Sequence, residues 1–218
     1  MFTHFVKYVL TPAVRLYLRS VEGAERLPQP PFIVAANHAS YLDDVMVPAM
    51  LMTLANTDMH IYVNSRYYKN PLLRRFLLHY HCIPVDVAKD VQDQERRRKT
   101  NERAFTEALE ALKKGKLFGL FPEGARSADG KLQKAKTGVA RIAIASQVPV
   151  VPVGVIGSYE VWPKGKALPR FKRAELKIGQ PLTFKRFAGK ENDPSALEAV
   201  TRTIMKEIAK LTRQVYDG

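Results

Sequence analysis

The segment of residues 32–44 constrains the fold more than any other part of the chain, because its pattern changes twice. Residues 32–36 form a continuous apolar run of the length of a buried strand. Residues 37–42 are polar enough to leave the core, and two aspartates then precede a second apolar run at residues 45–54, which is long enough for a helix. The segment therefore predicts a strand, a loop and a helix in succession.

This loop holds a histidine and a carboxylate that can act together. His38 lies at the predicted strand end and Asp43 at the predicted helix start. A carboxylate in that position can orient one imidazole nitrogen while the other nitrogen faces a reactant, as a general base requires. A structural role is the alternative, in which His38 belongs to the core and Asp43 and Asp44 cap the helix and complement its dipole. A second motif is needed to choose between the two.

The same alternation continues along the chain. Further strands are predicted at residues 17–21, 60–64, 82–86, 117–121, 148–156 and 174–179. Helices are predicted at residues 44–55, 71–80, 89–116, 138–145 and 194–215. Pro149 and Pro152 indicate an edge strand or the beginning of a strand, because proline cannot donate to a ladder. Strands that alternate with helices predict an α/β fold, with a central mostly parallel or mixed sheet flanked by helices.

A second strand also leads into a polar turn, at residues 122–127. Gly124 can adopt a positive φ that lets backbone N–H groups converge, and the planar guanidinium of Arg126 matches phosphate oxygens. Glu123 is an unusual neighbour for a phosphate unless it bonds a hydroxyl or fixes an arginine. Further on, Lys136 and the helix start that follows it can attract an anion through free amides and the helix dipole. These residues predict a shaped anion site.

The composition narrows the class of protein. With 218 residues and 46% hydrophobic content, the chain can bury a substantial core as one domain with at most a small appendage. Its 35 Lys and Arg against 21 Asp and Glu give a formal net charge of +14, which predicts an anionic partner. The single cysteine, Cys82, excludes an internal disulfide framework and a multi-cysteine metal site, and we predict no metal site. Outside the enzymes, a basic nucleic-acid-binding or lipid-binding module is the alternative class, but no nucleic-acid-binding motif is found and nucleic acid is not a predicted partner.

Two segments have the composition of a membrane-facing surface. In residues 1–20, apolar residues recur at helical spacing between basic ones, which predicts either an amphipathic helix at a membrane interface or a helix packed on its own domain. No segment has the roughly 18 uncharged apolar residues of a spanning helix. We expect residues 1–20 to be an interface helix and residues 21–218 to form the main domain. The basic and aromatic loop at residues 162–173 is typical of a membrane-facing or nucleotide-facing surface, or of an ordinary solvated loop.

Four blocks of the sequence together resemble a known family. Residues 37–43 resemble the His-X4-Asp motif of the glycerolipid acyltransferases, and residues 121–127, Phe-Pro-Glu-Gly-Ala-Arg-Ser, resemble that family's FPEGTRS motif. Residues 82–86 and 148–153 are similar to its second and fourth blocks, so the resemblance spans about residues 21–180. The two main motifs occur in the expected order, and this favours the catalytic interpretation of the histidine.

The resemblance implies acyl transfer from a thioester of coenzyme A or acyl carrier protein to a lipid hydroxyl. The acceptor is expected to be a lysophospholipid, 1-acyl-glycerol-3-phosphate above all, or alternatively another lysolipid or glycerol phosphate, in phospholipid biosynthesis. The thioester is a co-substrate and no cofactor is expected. The enzyme is expected to be peripheral or monotopic at the cytoplasmic face of a membrane.

The resemblance also assigns roles to residues. His38 takes the proton of the acceptor hydroxyl and later protonates the leaving thiolate, while Asp43 holds the tautomer. The acceptor-binding block comprises Glu123, Gly124, Arg126 and Ser127. Direct transfer requires no enzyme nucleophile, and we read Ser40 as a hydrogen-bonding loop residue.

The sequence departs from the family at four positions. His81 replaces a glycine, Val87 replaces an arginine, Ala125 replaces a threonine, and Asn64 or Ser65 stands where many members have a lysine. Lys89 lies two residues after Val87 and can substitute for the missing arginine, although a lysine is a point charge rather than a fork. These departures leave the acceptor headgroup open.

Overall fold

A computed structural model describes residues 5–218 and gives a seven-stranded sheet flanked by helices. The strands are β1 (Leu18–Glu22), β2 (Ile33–Ala36), β3 (Met59–Asn64), β4 (Cys82–Val85), β5 (Leu117–Leu120), β6 (Val150–Ile156) and β7 (Ala174–Ile178). The helices are α1 (Thr11–Arg15), α2 (Asp43–Ala55), α3 (Pro71–His79), α4 (Gln94–Lys113), α5 (Gly138–Ser146), α6 (Ser158–Val161) and α7 (Pro194–Thr212).

The sheet is mixed, with a parallel centre. The strand order is β1-β7-β6-β2-β5-β3-β4, and β2 pairs in parallel with both β5 and β6. Strand β7 pairs antiparallel with β6 and parallel with β1, so β7 and β1 run opposite to the other five strands. This architecture confirms the predicted α/β fold with a mostly parallel or mixed sheet.

Different helices cover the two faces of the sheet. In β2, Val34 and Ala36 pack into one core with α2 and the N-terminal helical segment, whereas Ile33 and Ala35 pack into a second core with α4, α5 and α7. All four residues are buried. A strand that is covered on both faces has a continuous apolar sequence, which explains the apolar run of residues 32–36.

Side-chain caps set the beginnings of the long helices. Asp93 accepts a hydrogen bond from the backbone N–H of Arg96 at 3.0 Å, and Asp193 accepts from that of Ser195 at 2.9 Å. Because Asp93 caps α4, the helix begins at Gln94 and not at the predicted residue 89.

Of the two alternatives that the prolines indicated, the edge strand was wrong, whereas the beginning of a strand is correct for Pro149. Pro149 precedes β6, but Pro152 lies inside it, and β6 is an internal strand between β2 and β7. The carbonyl of Pro152 accepts from Gly179, which follows β7, whereas pairing of β6 with β7 begins only at Val153. Pro152 lies opposite Gly179, and because proline has no N–H it cannot return a hydrogen bond to that residue, so the pairing of β6 with β7 ends at this point.

The N-terminal segment is shorter as a helix than the sequence predicted. The described residues begin at Phe5, so the first four residues of the predicted helix lie outside them. A π-helical turn, Val6–Leu10, leads into α1, and the chain enters β1 at Leu18. The predicted division at residue 20 therefore falls inside a strand.

This helical segment packs on its own domain along one side and exposes apolar groups on the other. Val6 and Val14 are buried, and the hydroxyl of Thr11 donates to the carbonyl of Ala49 in α2 at 3.3 Å. The exposed side carries Phe5, Tyr8, Val9 and Leu16. No helix within residues 5–218 is long and apolar enough to cross a membrane.

Candidate active site

The two motif loops meet at one edge of the sheet. His38 follows β2 and Glu123 follows β5, and because these strands are parallel neighbours their carboxyl ends lie side by side. Strands β3 and β4 end at the same edge, since both run parallel to β5. Open parallel sheets place binding sites outside the carboxyl ends of their strands.

His38 and Asp43 form the pair that the sequence predicted. Nδ1 of His38 lies 3.1 Å from Oδ2 of Asp43, whose carboxylate is fully buried at the start of α2. The same oxygen accepts from the backbone N–H groups of Ala39 at 2.7 Å and Ser40 at 2.8 Å. An ionised carboxylate only accepts hydrogen bonds, so Nδ1 carries the proton and Nε2 is left as the basic nitrogen.

Contacts distant in sequence hold the loop that carries His38. The side chain of Asn37 donates to the carbonyl of Val155 at 2.9 Å and accepts from its N–H at 2.7 Å. The hydroxyl of Ser40 donates to the carbonyl of Trp162 at 2.8 Å, in agreement with its expected role in the loop. The ring of Phe121 stacks on the imidazole with centroids 4.0 Å apart. Sequence reasoning assigned no role to Asn37 or Phe121, although both belong to the motifs.

Glu123 holds the backbone of the loop that carries His38. Its Oε1 accepts from the N–H of His38 at 2.7 Å and its Oε2 accepts from the N–H of Gln133 at 2.9 Å. The side chain is almost fully buried, and desolvation raises its pKa to about 7 against the lowering effect of these two hydrogen bonds. We expected Glu123 to bond a hydroxyl or an arginine; its partners are backbone amides instead, because both oxygens face the main chain. Ser127 also contacts this loop, by donating its N–H to the carbonyl of His38 at 2.8 Å.

Asp44, a residue that the sequence did not assign to the site, links Arg126 to His38. Nη1 of Arg126 donates to Oδ2 of Asp44 at 3.0 Å, and the guanidinium lies 3.9 Å from the ring centroid of Tyr41. Oδ1 of Asp44 lies 3.4 Å from Nε2 of His38, so the imidazole stands between two carboxylates. Desolvation raises the pKa of Asp44, and the charges of His38 and Arg126 oppose that rise. The sequence signal that could have indicated this role is that Asp44 directly follows Asp43.

A tyrosine hydroxyl joins two arginines at this edge. Tyr67, in the turn after β3, accepts from Nη2 of Arg126 at 3.1 Å and from Nη2 of Arg66 at 2.9 Å. Desolvation acts to raise the pKa of Tyr67, but the hydrogen bonds from the two arginines outweigh it and lower the pKa. Arg66 thus brings a cation next to the position where many family members have a lysine.

The remaining predicted residues divide into two groups. Gly124 adopts a φ of +69°, and a Cβ there would lie 3.0 Å from the side chain of Lys136, so these two residues are in contact in the second loop. The N–H of Lys136 donates to the carbonyl of Pro122 at 2.8 Å. Lys89 lies exposed in the turn after β4, and among residues 5–218 no hydrogen bond or ion pair joins it to His38 or Arg126.

The backbone explains one departure from the family pattern. His81, which replaces a glycine, has a φ of +53°, in the left-handed region that favours glycine. Its ring stacks on that of His60 with centroids 4.9 Å apart. A glycine would adopt this conformation without strain.

Comparisons with known proteins agree with this site. A family model described as "Acyltransferase" matches residues 19–156. The chain is 25% identical over 183 residues to a 1-acyl-sn-glycerol-3-phosphate acyltransferase of Bacillus subtilis, covering 83% of this chain and 82% of that protein. It is 28% identical over 151 residues to the chloroplastic enzyme of the same name, BAT2, of Brassica napus, covering 68% of this chain and 40% of that protein.

A solved structure extends the likeness to the fold. The crystal structure of the 1-acyl-sn-glycerophosphate acyltransferase PlsC from Thermotoga maritima matches with a TM-score of 0.62 and 29% identity, covering 94% of this chain and 79% of that one. The matched family region contains both motif loops described above. The chain therefore belongs to the acyltransferase family and is an O-acyltransferase of the glycerolipid type, similar to the 1-acyl-sn-glycerol-3-phosphate acyltransferases.

Proposed function

We propose that this enzyme moves a fatty acyl group from a thioester of coenzyme A or acyl carrier protein to the free hydroxyl of 1-acyl-glycerol-3-phosphate, as a step of phospholipid biosynthesis. The observation that carries the mechanism is the 3.1 Å contact between Nδ1 of His38 and the buried carboxylate of Asp43. The acceptor is supported by the names of the relatives from Bacillus and Thermotoga.

His38 supplies the general base. Asp43 holds Nδ1–H, so Nε2 accepts the proton of the acceptor hydroxyl while that oxygen attacks the thioester carbonyl. The tetrahedral intermediate collapses, the carbon–sulfur bond breaks, and the imidazolium returns the proton to the leaving thiolate. The negative charge of Asp43 stabilises the imidazolium during these steps. The hydroxyl of Ser40 is buried and bonded to Trp162, which supports direct transfer without an acyl-serine intermediate.

Arg126 binds the phosphate of the acceptor in this proposal. Its hydrogen bonds to Asp44 and Tyr67 leave further N–H donors of the guanidinium for phosphate oxygens. Arg66 lies on the other side of the Tyr67 hydroxyl and adds a second cation. The carboxylate of Asp44 must move away from Nε2 of His38 when the acceptor hydroxyl binds there. The ion pair with Arg126 then remains as the partner of Asp44.

A different phosphorylated acceptor is the second candidate. In the region of Ser65 many family members have a lysine, but here the Ser65 hydroxyl donates to the carboxylate of Asp86. Val87, which replaces the family's arginine, carries no charge. Cations therefore come from other positions than in the family pattern, and this favours a lysolipid with another headgroup, or glycerol phosphate, as the alternative. The exposed apolar side of the N-terminal helical segment supports a peripheral position on a membrane, and we propose that this is the cytoplasmic face.

The test is acylation by the purified protein. We expect His38→Ala to lower turnover of an acyl thioester with 1-acyl-glycerol-3-phosphate by about 100- to 10,000-fold, the range for loss of a general base. His79→Ala, an exposed histidine on α3, is the matched control and should retain turnover. Product mass identifies the acylated lipid, and circular dichroism checks the fold of each variant. Equal turnover of His38→Ala and wild type would exclude the proposed mechanism, while a mixture of lysolipids offered together identifies the preferred acceptor.

A further inference from the structure

The loop of residues 162–173, between α6 and β7, has an unusual surface. It contains five basic residues and no acidic one: Lys164, Lys166, Arg170, Lys172 and Arg173. Two apolar side chains also project from it, since Leu168 is 79% exposed and Phe171 is fully exposed. A single exposed apolar residue is ordinary, but two within a uniformly cationic loop are the composition of a surface that enters a lipid interface.

Hydrogen bonds give this loop a defined shape. The indole N–H of Trp162 donates to the carbonyl of Lys166 at 2.9 Å, and the N–H of Arg170 donates to the carbonyl of Val161 at 2.8 Å. The loop is therefore closed between Val161 and Arg170, with the exposed Leu168 inside the closed part and the exposed Phe171 directly after it. Leu168 and Phe171 are therefore exposed in a loop whose backbone is held by hydrogen bonds.

The base of the loop is bonded to the catalytic loop. The carbonyl of Trp162 accepts from the hydroxyl of Ser40 at 2.8 Å and from the N–H of Tyr41 at 3.2 Å. The rings of Tyr41 and Trp162 are in contact, with centroids 5.4 Å apart. The guanidinium of Arg126 lies over the ring of Tyr41. A molecule that binds the loop thus lies next to the residues that hold His38.

The N-terminal segment reaches the same edge of the sheet. Because β7 and β1 run opposite to β2, both begin at the edge where β2 ends. The N–H of Ala174, directly after the loop, donates to the carbonyl of Tyr17 at 2.7 Å. The exposed side chain of Leu16 precedes this contact, so the apolar end of the helical segment, the basic loop and the catalytic edge adjoin one another.

We propose that the loop of residues 162–173 is a docking surface for an anionic phospholipid membrane. Leu168 and Phe171 enter the headgroup region, the basic side chains contact lipid phosphates, and the catalytic edge faces the lipid from which its acceptor comes. An acidic protein such as a carrier of the acyl group is the other possible partner. The apolar side chains project outward from the loop, which favours a deformable lipid surface over a partner that must supply a matching groove. The lipid nature of the acceptor rests on the proposed function, whereas the docking itself does not.

Vesicle co-sedimentation of the full chain tests the docking. The probes are vesicles of phosphatidylglycerol mixed with phosphatidylcholine, and vesicles of phosphatidylcholine alone. The double variant Lys164→Gln with Lys172→Gln should bind the anionic vesicles roughly 30-fold more weakly, about fivefold for each lysine removed. The double variant Leu168→Ser with Phe171→Ser should weaken binding at least about tenfold. Matched controls are Lys190→Gln with Lys206→Gln and Leu54→Ser, an exposed position near the end of α2 distant from His38, which should bind like wild type.

Activity measurements separate this proposal from the proposed function. The loop variants should acylate a short-chain acceptor dispersed as monomers at the wild-type rate, but should lose activity toward an acceptor embedded in anionic vesicles. Wild-type vesicle binding by both loop variants, or an equal loss in the matched controls, would overturn the docking proposal. Wild-type vesicle binding with a raised KM for acyl carrier protein would assign the loop to that protein instead. A wild type that docks through the loop yet acylates no lysolipid would refute the proposed function and leave the docking intact.

Discussion

Glu123 gives a prediction whose magnitude follows from its contacts. Its side chain is 6% exposed, and desolvation raises its pKa to about 7 from the ordinary 4.5. The folded protein therefore holds this proton more tightly than the unfolded chain does, so the free energy of unfolding falls as the pH rises from about 4.5 to about 7. The difference corresponds to about 3 kcal/mol that is present at pH 4.5 and lost above the folded pKa.

The substitution Glu123→Gln removes the ionisation and one acceptor. Both oxygens of Glu123 accept from backbone amides, those of His38 and Gln133, whereas a glutamine has one oxygen and must direct its NH2 toward the other N–H. The unpaired amide costs about 1–3 kcal/mol. We expect the variant to be less stable than wild type by that amount near pH 5. The gap should close or reverse by pH 8, because only the wild type loses stability through ionisation of this group.

Urea denaturation at constant ionic strength between pH 5 and pH 8 measures both effects. All other carboxyl groups are common to the two proteins, so the difference between their curves isolates Glu123. Glu110→Gln, an exposed position on α4, is the control and should follow the wild-type curve. Parallel pH profiles for wild type and Glu123→Gln would refute the reasoning, because they would mean that Glu123 is not desolvated in the folded protein.

Two further predictions concern the neighbouring positions. Arg126→Lys should raise the KM for a phosphate-bearing acceptor about tenfold or more, because an ammonium group cannot contact Asp44 and Tyr67 while presenting a planar fork; unchanged steady-state kinetics would remove Arg126 from the acceptor site. At position 81, His81→Gly should be more stable than His81→Ala by about 1 kcal/mol in denaturant titrations, since both lose the ring contact with His60 but only alanine keeps the cost of a positive φ. The opposite order would show that the backbone relaxes there.

The sequence predicted the features that depend on local pattern. His38 and Asp43 are five residues apart across a strand end and a helix start, and that spacing lets the carboxylate reach the imidazole. The continuous apolar run of β2 likewise predicted a strand buried on both faces. In these cases the sequence contains both partners of the interaction in a single short segment.

Features that depend on distant partners were missed or misjudged. Glu123 was expected to bond a hydroxyl or to fix an arginine, yet one of its partners is a backbone amide 85 positions away, and a backbone amide cannot be recognised from the residue type. The pair of Asp44 and Arg126 is separated by 82 positions. Pro152 was judged by its residue type, but its effect depends on where β7 ends relative to β6. One side of the N-terminal segment packs on α2, as one of the two expectations required, and the other side is apolar and exposed.

The distant contacts of the catalytic loop determine when in synthesis an active site can exist. The partners of Asn37, His38 and Ser40 are Val155, Glu123 and Trp162, which all follow them in the chain. A ribosome releases residues 37–43 long before those partners emerge, so the motif is present in a nascent chain that cannot yet shape it. The acyl transfer that we propose for His38 therefore requires the second half of the domain to have folded onto β2, and transplanting the seven motif residues into another protein should not transfer the activity.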